Sequence, residues 1–185
     1  MRPTALATLT TEILDELGVE RTVFFGFSWG ATVGCWLAAL HPARTLALVL
    51  IEGGHMDFAD LPDFRTDRTL DELISEAEAG ATRAGAAFGS HTPTVAGAMV
   101  HGLCREPSIA AYPRLAAAGT PTLFVGAEQD EASSYLERLA RLVPQSDIIH
   151  LVSWGHDLLH EPPRAVAREI GDWLAGLSPF QEPSS

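Results

Sequence analysis

The sequence predicts an α/β fold, a parallel sheet flanked by helices, and three observations carry the prediction. Strand-like runs at 22–26, 46–51, 121–126 and 147–152 alternate with helix-like stretches near 31–40, 133–143 and 164–177. Such alternation is what parallel strands joined by right-handed crossovers require. The run Thr22-Val23-Phe24-Phe25 is apolar on both faces, as strands buried on both sides of a parallel sheet are. A chain of 185 residues, 46% apolar and 19% charged, suffices for one sizeable core and is short for two.

The first element reads as an amphipathic helix, with Leu6, Leu9, Ile13, Leu14 and Leu17 at helical spacing and Gly18 as its stop. The first strand follows and runs at once into Gly26-Phe27-Ser28-Trp29-Gly30, a G-x-S-x-G pentapeptide that opens the helix Ala31–Leu40. A strand that reverses into a helix over so few residues crowds its own backbone. Glycines on either side of Ser28 remove side chains that would collide there, and the serine hydroxyl projects from the tip of the turn. A serine hydroxyl is a poor nucleophile until a base takes its proton, so this reading requires a carboxylate and then a histidine downstream. Thr120 to Asp130 reads as a buried strand leaving into a polar loop that carries Asp130. Residues 147–152 read as another strand, followed by Ser153-Trp154-Gly155-His156-Asp157, which places His156 in a loop after a glycine.

Together these features resemble the α/β-hydrolase family over nearly the whole chain. The matching residues are the elbow with Ser28, His41-Pro42 after the elbow helix, the strand Leu46–Ile51, Gly126-x-x-x-Asp130, Gly155-His156 and a closing helix ending near Trp173-Leu174. The resemblance implies Ser28 as nucleophile, His156 as general base and then acid, and Asp130 as the carboxylate that orients the imidazole. Glu52, just past the second strand, is the alternative position for that acid. The resemblance further implies that the Trp29 backbone N–H serves an oxyanion hole, with Phe27 and the Trp29 indole beside the substrate. The segment 55–114 falls where the family carries a helical cap, leaving 1–54 and 115–178 as core and 179–185 as a disordered tail. Within the cap, Thr69-x-x-Glu72 reads as a capping box and Phe58, Phe64, Phe88 and Met99 as candidate pocket walls. Its Ala and Gly content predicts mobility.

In one respect the chain departs from the family. A half-sheet normally precedes the nucleophile strand, and the loop after its third strand gives the oxyanion hole its second N–H. Here a single helix precedes Ser28, so the expected fold is N-terminally truncated and its first strand is an exposed edge. That edge invites pairing, as a homodimer, unless the N-terminal helix covers it. The expected activity is cleavage of a small ester, amide or lactone through an acyl-enzyme at Ser28. The competing readings are an inactive remnant or binding domain, and, from Phe27, a cofactor-free haloperoxidase-like member.

The formal net charge of −12 disfavours nucleic acid and anionic membranes as partners, because their phosphates would be repelled. A small-molecule substrate with no cofactor is the expectation. Cys35 and Cys104 form no C-x-x-C pair, which fits a reducing, cytoplasmic setting, and Cys35 in the apolar elbow helix reads as an inert buried thiol. His156 and His160 are spaced as a helical metal pair would be, yet Pro162 and Pro163 argue for a loop, so no metal is expected.

Overall fold

A computed structural model describes residues 1–54, 67–84, 92–127, 136–151 and 164–177. Four parallel strands form one sheet in chain order: β1 (Thr22–Phe27), β2 (Thr45–Ile51), β3 (Thr122–Ala127) and β4 (Ser146–Leu151). The helices are α1 (Pro3–Glu16), α2 (Trp29–Leu40), α3 (Leu70–Ala84), α4 (Pro93–Arg105), α5 (Tyr112–Ala118), α6 (Leu136–Leu142) and α7 (Arg164–Gly176). Successive side chains of a strand point to opposite faces, and the core divides accordingly. Leu48 and Leu50 of β2 pack with Phe124 of β3 against Ala31 and Cys35 of α2, Leu115 of α5 and Leu136 of α6. Val49, Leu123 and Val125 face the other way, onto Val166 and Ile170 of α7. Each fully buried leucine or phenylalanine contributes about 1.5–3 kcal/mol, so β2, closed on both faces, anchors the domain.

The thiol of Cys35 lies in that core with no exposed surface, its Sγ 3.6 Å from the Gly54 carbonyl oxygen. Burial pushes it up from 9.0 to about 12. Between those values the unfolded chain gives up the thiol proton while the folded chain keeps it, so stability is intact below pH 9.0 and falls as the pH rises toward 12. The unfolding free energy in urea should therefore drop by ~1.4 kcal/mol per pH unit from this group alone. Cys35→Ala should show a shallower decline across that window; an unchanged slope would count against the buried thiol as its source.

Helix α1 corrects an expectation. Its buried residues are Pro3, Ala7 and Thr11, whereas Leu9, Ile13 and Leu17 are exposed. The helix lies against α2, and of the apolar stripe Leu6 and Leu14 are half-buried while Leu9, Ile13 and Leu17 stay exposed. Phe25 of β1 stays 53% exposed, so α1 does not shield that side chain. Gly18 does end the helix, at φ +66°, where a side chain would be strained. Arg44 then pins the turn into β1: its guanidinium donates to Asp15 Oδ1 at 2.6 Å and to the Val19 and Glu20 carbonyls at 2.8 and 2.6 Å.

The capping box is present at the start of α3. The Thr69 N–H donates to Glu72 Oε2 at 2.7 Å, and the Glu72 N–H donates back to Thr69 Oγ1 at 3.3 Å. Helix α4 starts equally well, Thr92 Oγ1 accepting from the Val95 N–H with Pro93 in the first turn. The two helices pack against each other. Phe58, Phe64, Phe88 and the segment 179–185 lie outside the described residues.

Candidate active site

Ser28 occupies the junction between β1 and α2, at φ 49° and ψ −119°. A non-glycine residue at positive φ is uncommon and costs on the order of 1–3 kcal/mol, so the surrounding structure has to hold it there. Several contacts do. The Ser28 N–H donates to the Ile51 carbonyl at 2.8 Å, carrying the β1–β2 ladder one residue past the last paired position. The Ala31 N–H closes the first turn of α2 onto the Ser28 carbonyl at 3.0 Å. A Cβ on Gly26 would lie 2.6 Å from the Ala31 Cα and the Gly30 carbonyl oxygen, so only glycine lets the strand reverse this tightly.

Ser28 is the N-cap residue of α2, yet its side chain makes no capping hydrogen bond. Serine at that position ordinarily satisfies one of the first amides of the helix. Its Oγ is thus not committed to its own helix, and the amide of Trp29, first in the helix, has no acceptor within the helical ladder. A hydroxyl not spent on capping, beside helix-start amides, is what a nucleophile with an oxyanion donor requires.

Beside it, the end of β2 shares one feature with the elbow. Glu52 also has positive φ, 48°, and its N–H donates to the Val125 carbonyl of β3 at 2.9 Å. Its side chain is 1% exposed, so the alternative acid lies buried on the strand neighbouring the elbow. The next residue was not foreseen. A Cβ on Gly53 would fall 2.6 Å from both the Cα and the carbonyl carbon of Ser28, which makes Gly53 the floor on which the elbow rests. The signal in the sequence is Gly53-Gly54 one residue past a strand.

Phe27 is half-buried and packs on the α7 side with Val49 and Val125. The Trp29 indole Nε1 donates to the Met99 carbonyl of α4 at 3.0 Å, which fixes one tip of the ring on that helix. Asp130 and His156 lie outside the described residues, shortly after the ends of β3 and β4. In a parallel sheet those ends share the edge that carries Ser28 and Glu52. Among the described residues no helix is long and apolar enough to cross a membrane.

The sequence of residues 3–73 matches a family described as the alpha/beta hydrolase fold. No curated protein matches the chain in sequence. Among solved structures, one of the carboxylesterases of the thaumarchaeon Nitrososphaera gargenis is similar at a TM-score of 0.75 and 18% identity, over 95% of this chain and 72% of its own. A thermophilic esterase from Thermogutta terrifontis gives 0.68 and 21%, over 94% of this chain and 72% of its own. Est816, an N-acyl homoserine lactone degrading enzyme, gives 0.61 and 19%, over 93% and 74%. At these identities the likeness is one of architecture, and this chain is shorter than each of the three. By the order and direction of its strands, by the elbow that ends the first of them and by the sequence pattern of residues 3–73, the chain has the α/β-hydrolase fold.

Proposed function

We propose that the protein is a serine hydrolase that cleaves a small ester, amide or lactone through an acyl-enzyme at Ser28. The observation that carries the reading is the Ser28 turn itself, a strained residue whose hydroxyl does not cap its own helix. Esterases and a lactone-degrading enzyme of the same fold support the substrate class. In this mechanism His156 takes the hydroxyl proton as Oγ attacks the carbonyl carbon, and the Trp29 N–H stabilises the tetrahedral oxyanion. Collapse breaks the bond to the leaving group, which departs with the proton from His156. Water, deprotonated by the same imidazole, then releases the acid and restores Ser28. Asp130 orients the imidazole. Glu52 is the second assignment for that role, favoured by its burial at the end of the strand next to the elbow.

Intact-mass spectrometry after exposure to a small alkyl fluorophosphonate tests the reading. Ser28 Oγ attacks phosphorus, the P–F bond breaks, fluoride leaves and the serine proton passes to His156. A single adduct is expected in the wild type, absent from Ser28→Ala and His156→Ala. Loss in Asp130→Asn with retention in Glu52→Gln identifies the acid as Asp130, and the reverse identifies Glu52. No adduct on folded wild-type protein would replace the hydrolase reading with that of a binding domain that retains the fold.

A further inference from the structure

The cap helix is fastened to the elbow helix at two points with the same offset. Trp29 Nε1 donates to the Met99 carbonyl at 3.0 Å, and Trp36 Nε1 donates to the Glu106 carbonyl at 3.1 Å. Donors two turns apart on α2 thus meet acceptors two turns apart along the cap. Between the rungs, Ser108 Oγ donates to Thr32 Oγ1 at 2.9 Å in a buried contact. Trp29, Thr32 and Trp36 share one face of α2, and every one of them is bonded to the segment 99–108.

Residues at the start of the chain also bond to this segment. The Met1 nitrogen donates to the Ala98 carbonyl at 3.0 Å, and the Glu106 carboxylate accepts from the Thr4 N–H at 3.0 Å and from Thr4 Oγ1 at 2.7 Å. A carbonyl oxygen has two lone pairs, so Ala98 and Met99 can receive these donors on top of their helical bonds.

Trp29 is also the residue next to Ser28, and its amide is the oxyanion donor of the proposed mechanism. One residue therefore meets the reaction through its backbone and the cap through its side chain. We infer that the Trp29 indole is a strut that sets the position of α4 relative to Ser28 and so limits the bulk of the group admitted beside the nucleophile. Trp29 is on this account a positioning residue for selectivity, a role that rests on the hydrolase reading above. Trp36 holds the same helix two turns away from Ser28 and leaves the clearance at the nucleophile to Trp29.

Trp29→Phe keeps the backbone N–H and an aromatic ring while removing the indole donor. Two readouts apply: amide hydrogen exchange across residues 93–105, and labelling by a methyl and a long-chain alkyl fluorophosphonate, each resolved into a binding constant and a maximal rate. In Trp29→Phe, exchange in α4 should rise and the long-chain probe should gain on the methyl probe by roughly fivefold, the factor that one net hydrogen bond sets. The gain should appear in the binding constant for the long-chain probe. Trp36→Phe should raise exchange without changing the ratio. Should Trp29→Phe fail to fold, 3-benzothienylalanine at position 29 keeps the bicyclic shape without the N–H and makes the same test. Unchanged exchange, an unchanged ratio, or an equal change in ratio for Trp36→Phe overturns the strut. A wild type that takes neither probe overturns the hydrolase reading instead, and is told apart because the exchange measurement needs no labelling.

Discussion

Ser28→Gly should abolish turnover and make the protein more stable. Removing the nucleophile of a serine triad costs about 10⁶-fold in kcat, and neither glycine nor alanine can replace the hydroxyl. The stability effect separates the two substitutions. At φ 49° and ψ −119° a Cβ is costly, and glycine reaches that conformation freely. Relief of roughly 1–3 kcal/mol of strain is offset by the greater freedom of glycine in the unfolded chain, about 0.5–1 kcal/mol, which leaves a net gain near 1 kcal/mol. For a domain of this size that is about 2–4 °C in Tm. Ser28→Ala keeps the Cβ and should melt with the wild type. Thermal unfolding of the three proteins side by side decides the matter: if the glycine variant melts no higher than the alanine variant, Ser28 is not held against strain.

Strand and helix order was readable because both periodicities are written into single segments. The apolar runs at 22–26 and 46–51 became β1 and β2 to within a residue, and Thr69 with Glu72 formed the box its spacing predicts. What periodicity left open was how much of the first helix's stripe is buried. Leu9, Ile13 and Leu17 do recur on one face of α1, but periodicity records that a stripe exists and says nothing of what it meets. Of the stripe, Leu6 and Leu14 are half-buried while Leu9, Ile13 and Leu17 stay exposed.

The site divides along the same line. Ser28 and its turn were legible because a tight reversal imposes residue types, glycine above all. The Trp29 and Trp36 bonds to Met99 and Glu106 were not, since their acceptors are backbone carbonyls, and any residue supplies one. Glu52 was legible only as a position after a strand; its burial and its positive φ are properties of the folded chain.

Gly53→Ala should damage the protein more than the corresponding change at Gly30, which belongs to the pentapeptide. The pattern assigns glycine to both sides of the nucleophile for the same steric reason, but in the structure only Gly26 meets that need. A Cβ on Gly30 finds no neighbour within 4 Å, apart from its chain neighbours and the backbone of its own helix, so Gly30→Ala should fold and label with fluorophosphonate like the wild type. A Cβ on Gly53 would lie 2.6 Å from the Ser28 Cα, and the obstructing atoms are backbone rather than the end of a flexible side chain. Either the elbow or the end of β2 must move. The ladder bonds Ser28 N–H to Ile51 and Glu52 N–H to Val125 tie both to the sheet, so the movement has no inexpensive direction. A loss of about 3 kcal/mol or more is expected, at the upper end of what overpacking costs, with labelling of Ser28 slowed further because the displaced turn misaims the hydroxyl. Urea midpoints for the two variants, with labelling rates measured in the absence of urea, test both halves. Equal midpoints would mean that the residue beneath the elbow gives way, and that the fixed geometry of Ser28 is maintained by the turn alone.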